Sequence, residues 1–414
     1  MTENNTDLKA LPSGTPEPIR TNPNEPEPDK PKAPPTYTRP MPVQAFKFGV
    51  IGGGLMGKEF ASAAARWFHL EGVPAKPIIT AICDPAPAAR EWFQQNVPTV
   101  TLATDDIATL LNSDIDAVYV AVPHHLHLPI YRQVIEAGKH LFAEKPFGID
   151  LESAEEIAKI SAAHPEVKIG ISSEFPFYPA VQRIIHHVEA GEFGEIFEIR
   201  AAFNHCSDLD PNKPINWKRQ IAYNGEYGCM GDLGLHVCHV PFRLGFHPAN
   251  VRAALSNIVK TRPGPNGEPV LCETWDNATL LCQTEAGATM LLETKRISPG
   301  DTNSWKLEIY GTKMSAQFST AQPKTLRTLR YQSGQPQEWR EESLGQPHAF
   351  KSITGHIFEF GFSDAILQMW AAFLTELAGE TPPFRVATPA EALLSHRLFT
   401  AALRSQANGT TEPI

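Results

Sequence analysis

Phe46-Lys47-Phe48-Gly49-Val50-Ile51-Gly52-Gly53-Gly54-Leu55-Met56-Gly57-Lys58 decides the fold class of this 414-residue chain. An apolar, strand-like run leads into Gly-x-Gly-x-x-Gly, and Lys58-Glu59-Phe60-Ala61-Ser62-Ala63-Ala64-Ala65 follows with a helical composition. In such a turn Gly52 allows the tight reversal, Gly54 lets the backbone approach a pyrophosphate, and Gly57 lets helix and strand pack closely. The phosphates then meet a helix N-terminus, where free N–H groups and the helix dipole favour negative charge. Short glycine patterns recur by chance, but here the strand and the helix that the motif needs are both present. Gly52, Gly54, Leu55, Met56 and Gly57 are therefore the first cofactor-binding candidates.

The pattern continues outward from this loop. Ile78-Ile79-Thr80-Ala81-Ile82, Ala117-Val118-Tyr119-Val120-Ala121-Val122, His140-Leu141-Phe142-Ala143 and Lys168-Ile169-Gly170-Ile171-Ser172 read as further strands. Helical patterns separate them at 86–95, 107–111, 128–137 and 151–162. Short, continuous apolar strands alternating with helices predict an α/β fold, with a doubly wound Rossmann dinucleotide-binding domain over 44–172. Beyond residue 173 one helix at 180–190 precedes longer alternating strands at 196–201, 278–282, 288–293 and 305–310. Late helices follow at 363–379 and 389–405. This texture predicts a second, α+β domain over 173–405 with a large, mainly antiparallel open sheet that binds substrate and dimerises. Residues 406–414 are expected to be a flexible C-terminus.

Composition narrows the function classes. The net charge of −10 argues against a nucleic-acid partner, whose phosphates demand a basic face. No apolar run reaches the length of a membrane span. The six cysteines form no Cys-x-x-Cys pair and fall mostly in apolar runs, so they read as reduced, buried thiols of a cytoplasmic protein. Residues 1–43 hold 11 of the 37 prolines and almost no large aliphatic side chains. Such a segment cannot bury enough surface to offset its ordering entropy and is expected to be disordered, as a tail or an interaction arm.

Three further elements carry chemistry. Asp84 closes the second strand, where an acid hydrogen-bonds the adenosine ribose hydroxyls and repels a 2′-phosphate, which favours NAD over NADP. Ala143-Glu144-Lys145-Pro146 follows a strand at the C-terminal edge of the sheet, where ligands bind in such folds. Lys145 could there hold a hydroxyl and stabilise the alkoxide that forms from it. In Gly231-Asp232-Leu233-Gly234-Leu235-His236, Asp232 and His236 stand at i and i+4 and share a helix face. A histidine with a pKa near neutrality beside an acid suits removal of a hydroxyl proton. Pro123, His124, His125 and His127 begin a helix after a strand, and read as capping and cofactor contacts rather than as a metal site. Trp217-Lys218-Arg219 is either a substrate clamp, with Trp217 stacked on a sugar face, or a structural loop. Tyr178 and His205 are weaker candidates of the same kind.

Taken together and in this order, these motifs are similar to those of the glucose–fructose oxidoreductase / inositol dehydrogenase / MocA family, over roughly residues 46–405. The carriers are Gly52-Gly53-Gly54-Leu55-Met56-Gly57, Asp84 with Arg90, Val122-Pro123-His124-His125-Leu126-His127, Ala143-Glu144-Lys145-Pro146 and Asp232-Leu233-Gly234-Leu235-His236. The resemblance implies an NAD-dependent dehydrogenase acting on a secondary hydroxyl of a sugar, glycoside or cyclitol. Lys145, Asp232 and His236 would be its catalytic group, with His236 as base, Asp232 orienting it or the sugar, and Lys145 holding the reacting hydroxyl. Glu144 and Lys145 would also touch the cofactor, and Trp217, Lys218 and Tyr178 the substrate. It also implies a homodimer or homotetramer formed through the second sheet. Two departures bear on the substrate. Ser173-Glu174-Phe175-Pro176-Phe177-Tyr178-Pro179 lacks the arginine that many members carry there, and His239 stands where members commonly place an acid. Two rival activities stay open: cleavage or isomerisation of a glycoside through transient oxidation by tightly held NAD, and a non-catalytic NAD-sensing scaffold. An imine reductase would leave less reason for the Asp232–His236 pair.

Overall fold

The strand that enters the glycine loop, β1 (Gln44–Ile51), is buried from Phe48 onward because a strand lies on either side of it and helices lie above and below. The computed structural model describes residues 43–345, 348–355 and 358–414. All of the proline-rich segment 1–43 except Val43 lies outside them. β1 pairs in parallel with β2 (Ala75–Cys83) and β4 (Ala117–Val120). β3 (Leu102–Thr104), β5 (His140–Ala143) and β6 (Ile169–Ile171) complete a six-stranded parallel sheet of order β3-β2-β1-β4-β5-β6. The chain order reverses between β1 and β4, which opens a crevice at the C-terminal ends of those strands.

Helices α1 (Leu55–Ala65), α2 (Pro87–Asn96), α3 (Ile107–Leu111), α4 (His127–Glu136) and α5 (Leu151–Ala163) connect these strands. α2 to α5 lie within a residue of the sequence expectation, and α1 starts three residues earlier than Lys58, inside the glycine motif. Asp106 and Asp150 cap α3 and α5 by accepting first-turn N–H groups. After α6 (Pro179–Glu189) the chain enters β7 (Ile196–His205), passes a short helix α7 (Ile221–Asn224), and then forms the buried helix α8 (Cys229–Arg243).

β7 is central to the second sheet. β8 (Pro248–Ser256) is followed by a separate hairpin of β9 (Thr261–Pro263) and β10 (Pro269–Leu271). The sheet then takes β11 (Asn277–Thr284), β12 (Thr289–Lys295), β13 (Asn303–Gly311), β14 (Met314–Ser319), β15 (Thr325–Arg330) and β16 (Arg340–Ser343). With β17 (Glu412–Pro413) it has nine strands in the order β16-β15-β14-β13-β7-β12-β11-β8-β17. It is antiparallel except at β7 and β12, which run parallel. Period-two alternation buries Ala278, Leu280 and Cys282 of β11 towards α8 and turns Thr279, Leu281 and Gln283 outward.

Two late helices cross back to the first sheet. α9 (Phe362–Leu377) brings Trp370 to within 3.7 Å of the Phe60 ring centroid, stacked at 20°, and beside Phe48, Tyr119 and Phe142. It thus covers the face of the parallel sheet that α1 leaves open. α10 (Pro389–Asn408) packs on α5, α8 and β8 and ties both sheets together. The expectation of a flexible C-terminus at 406–414 is corrected here. Gly409 ends α10 in the left-handed region (φ 68°), and Ser405 Oγ donates to Thr410 O at 2.6 Å. The reversed chain then pairs Glu412 and Pro413 with β8.

Candidate active site

At the crevice between β1 and β4 the glycine loop behaves as its spacing demands. Gly52 has φ 100°, and a Cβ there would stand 2.3 Å from Ala121 O. A Cβ on Gly57 would stand 2.3 Å from Gly52 O, so only glycine lets α1 come this close to the loop. A Cβ on Gly54 would meet nothing within 4 Å, so this residue faces open space. It N-caps α1 with no side-chain hydrogen bond, and the first turn carries no acid. The first N–H groups of this helix are therefore free of side-chain partners, as a pyrophosphate site requires. Gly57→Ala is expected to weaken dinucleotide binding about 10-fold and to cost about 1–3 kcal/mol of stability through overpacking. Fluorescence titration with NADH and thermal melting would read the two effects.

A cavity of about 1180 Å³ runs from this loop to α8. Gly52, Gly54, Leu55, Met56, Asp84, Pro123, His124, Glu144 and Lys145 line it, as do Trp217, Lys218, Asp232, His236 and His205. Gly57, His125, His127, Tyr178 and Arg219 do not reach it, and Arg219 instead pairs with Asp208 and Asp276. Gly57 acts through packing alone. His127 is buried with Nδ1 2.6 Å from Pro146 O and Nε2 3.0 Å from Val122 O, so it braces the loops after β4 and β5. Burial lowers its pKa to about 4. Tyr178 is corrected to a core residue: it is 4% exposed and packs on Phe175, Phe318 and Phe360. A tyrosine before a helix proline has the same sequence whether its ring points in or out, and the apolar surroundings decide.

At the C-terminal end of β2, Asp84 Oδ2 accepts from Gly53 N at 2.7 Å, and Oδ1 from Ala86 N at 2.8 Å. The carboxylate thus pins the glycine loop while keeping lone pairs free for a further donor. Arg90 Nη1 donates to Asp84 O and Pro85 O, which occupies the guanidinium nearest to this corner.

At the other end the site is built around one carboxylate. Lys145 Nζ donates to Asp232 O at 2.6 Å and stands 3.2 Å from Oδ1; Lys218 Nζ donates to the same Oδ1 at 2.8 Å. Arg296 Nη1 pairs with Asp232 Oδ2, and Arg296 Nε donates to Asp208 Oδ2 at 2.6 Å. Burial alone would neutralise Asp232, but Lys145, Lys218 and Arg296 hold its carboxyl well below the usual range. The two lysines diverge. Burial works against the charge of each, yet Asp232 and Glu144 raise the Lys145 pKa above its ordinary value. For Lys218 burial wins, helped by Arg296 and Lys145, and its pKa falls to about 8. Glu144 itself takes the Tyr119 hydroxyl at 2.7 Å.

His236 is buried on α8 one turn from Asp232, as the spacing predicts, but its acidic neighbour differs. Asp232 is committed to three cations, and His236 Nδ1 instead faces Glu174 Oε2 at 3.6 Å. Burial, then the Lys145 charge, push the imidazole well below a pKa of 6.5, so the expectation of a value near neutrality is corrected. The ring is neutral at physiological pH, the form a base must have. Trp217 lies edge-on to His124 at 4.8 Å. Asn216 Oδ1 accepts from Lys218 N at 3.0 Å and so caps the short turn that carries this tryptophan.

Sequence reading missed Arg296, Asp208 and the role of Glu174. Arg296 and Asp208 sit in no motif, and only the fold brings them to Asp232. Glu174 had a signal, since it is an acid just after β6 at the C-terminal edge of the parallel sheet. No group of three or more potential metal ligands occurs among the described residues. No helix there is long and apolar enough to cross a membrane.

Comparison with known proteins agrees with this geometry. A family-wide sequence model described as the oxidoreductase family with an NAD-binding Rossmann fold matches residues 46–169, and the GFO/IDH/MocA C-terminal domain matches 181–317. The levoglucosan dehydrogenase of Pseudarthrobacter phenanthrenivorans is 30% identical over 302 residues, 67% of this chain and 74% of that one. The rhizopine catabolism protein MocA of Rhizobium meliloti is 28% identical over 272 residues, 64% of this chain and 76% of its own length. A solved levoglucosan dehydrogenase in complex with NADH shares the fold, with a TM-score of 0.81 over 90% of this chain and 99% of that one at 24% identity. The chain therefore belongs to the glucose–fructose oxidoreductase, inositol dehydrogenase and MocA family, and is an NAD-binding oxidoreductase.

Proposed function

We propose that this protein is an NAD-dependent dehydrogenase that oxidises a secondary hydroxyl of a sugar, glycoside or cyclitol. The observation that carries the reading is the convergence of Lys145, Asp232 and His236 on the wall of one cavity that also holds the glycine loop. Relatives named levoglucosan dehydrogenase and inositol 2-dehydrogenase support the substrate class. We assign cofactor contacts to Gly52, Gly54, Leu55, Met56, Asp84, Pro123, His124, Glu144 and Lys145, and substrate contacts to Trp217 and Lys218. Lys145, kept charged by Asp232 and Glu144, donates to the reacting oxygen and stabilises its developing negative charge. The neutral His236 takes the hydroxyl proton on the nitrogen that meets the cavity. Asp232 fixes Lys145 and offsets the buried cations. Nicotinamide, when bound, accepts the hydride from the same carbon.

Screening sugars, glycosides and inositols for stoichiometric NADH formation tests the reading. Release of a free sugar without net NADH would replace it with the redox-neutral glycosidase, and NADH binding with no turnover of any kind would favour the scaffold. The cofactor preference rests on Asp84. Asp84→Ala is expected to lower kcat/KM for NAD about 10-fold and to raise relative use of NADP, because the like charge that repels a 2′-phosphate is gone. An unchanged NAD-to-NADP ratio would remove Asp84 from that role.

The proposal includes a division into a cofactor domain at 44–172 and a substrate domain at 173–405, and a homodimer or homotetramer through the outward face of the nine-stranded sheet. Light scattering after gel filtration reads the assembly. Six free cysteines, five of them buried, fit a reducing cytoplasm.

A further inference from the structure

The two ring nitrogens of His236 have different surroundings. Its Nδ1 is buried and has no hydrogen-bond partner among the described residues, while the ring lines the cavity, so Nε2 is the nitrogen that meets a ligand. Phe175 and Phe203 wall the ring edge-on at 5.2 and 5.4 Å. Behind Nδ1 stands the Glu174 carboxylate, 3.6 Å away, with side chains of both residues 5% exposed. That separation exceeds a hydrogen bond. Catalytic contacts of this kind are often long without ligand and tighten in the complex.

We infer that Glu174 is the positioning residue of His236: its carboxylate keeps the imidazole proton on Nδ1 and so leaves the Nε2 lone pair for the alcohol. This rests on the dehydrogenase reading above and adds to it where the proton goes. The hydroxyl proton passes to Nε2, the Nδ1 proton passes to Glu174, and the carbon's hydride leaves with its electron pair to the oxidised cofactor, so charge and protons balance. A protonated Glu174 does the reverse. It donates to Nδ1, places the ring proton on Nε2 and turns the base into a donor aimed at the alcohol.

Other charged and titratable groups also act on this pair. Lys145, Asp232, His239 and Lys218 act on His236. Glu144 and Lys145 act on Glu174, and the buried phenols of Tyr119 and Tyr178 sense it. Burial is the main influence on Glu174 and raises its pKa to about 7, with Glu144 adding to the rise and Lys145 opposing it. The wild-type rate is thus expected to fall as pH drops through about 7, as the acceptor fills.

The experiment compares pH profiles of wild type, Glu174→Gln and Glu174→Asp, using an alcohol found in the screen. Glu174→Gln is expected to lose the limb near pH 7 and to lower kcat about 10- to 100-fold. KM and NADH binding should stay within about threefold, because glutamine keeps the shape of this side chain on the cavity wall and removes only its charge. Glu174→Asp should keep the limb at a reduced kcat. A retained limb, or an unchanged kcat, in a folded Glu174→Gln overturns the inference. A second reading needs no substrate: ¹⁵N shifts of His236, assigned by difference from His236→Ala, report the tautomer in the wild type. The Nδ1–H form above about pH 7 supports the inference, and an Nε2–H form there overturns it, whether or not any variant folds. Failure of every alcohol in the screen would sink the dehydrogenase reading alone, since the tautomer is measured independently.

Discussion

His236→Ala is expected to lower kcat by about 10³-fold, the range over which a positioned base acts, with NADH binding kept. The substitution removes the neutral ring on this wall that combines a cavity-facing nitrogen with a buried acid behind it. The backbone carbonyl of His236, which accepts the Trp305 indole N–H at 2.9 Å, is untouched. The variant should therefore melt close to the wild type apart from the loss of packing between Phe175 and Phe203. Its residual rate should rise with pH as hydroxide replaces the missing base. Steady-state kinetics over a pH series with a substrate from the screen would check this. A kcat within about tenfold of the wild type would mean that another group takes the proton.

Asp232→Ala has the largest expected effect on stability. Without that carboxylate, Lys145 and Lys218 lose the buried anion they share and Arg296 keeps only Asp208. Breaking a buried ion cluster from one side costs about 3–5 kcal/mol, because the stranded charges keep their desolvation penalty. The sign with pH follows from the carboxyl, which is held well below its ordinary range in the folded protein. Its contribution is present above an unfolded pKa of about 4 and is lost only as pH falls through the depressed folded value. In the variant Lys218 has lost the acid that supports its charge, so its proton leaves more easily and stability recovers as pH rises. Urea denaturation from acid to mildly alkaline pH would show both trends. The double variant Asp232→Ala/Lys218→Met should regain part of the loss, a coupling expected of neighbours. A loss below about 1 kcal/mol would show that water already satisfies the cluster.

Several parts of this protein are legible residue by residue. The strand, the glycine loop and α1 announce themselves because each is local: period, turn chemistry and helix composition fall within about twenty residues. Lys145 and the i, i+4 pair of Asp232 and His236 are legible for the same reason. The limits are also physical. β8, β14 and β15 escape a single-sequence reading because their partners, not their composition, stabilise them. The C-terminal nine residues look loose until Gly409 turns them onto the edge of β8.

What the sequence determined by itself is the dinucleotide fold, the family and the residues proposed to meet the reacting carbon. Only tertiary structure decided how their charges behave. Asp232 serves Lys145, Lys218 and Arg296 because the end of β12 delivers Arg296 to it across 64 residues of chain. His236 is left to Glu174, which arrives from the end of the first sheet. Tyr178 turns into the core instead of towards a sugar. Charges and burial act through space, and separation along the chain says nothing about either.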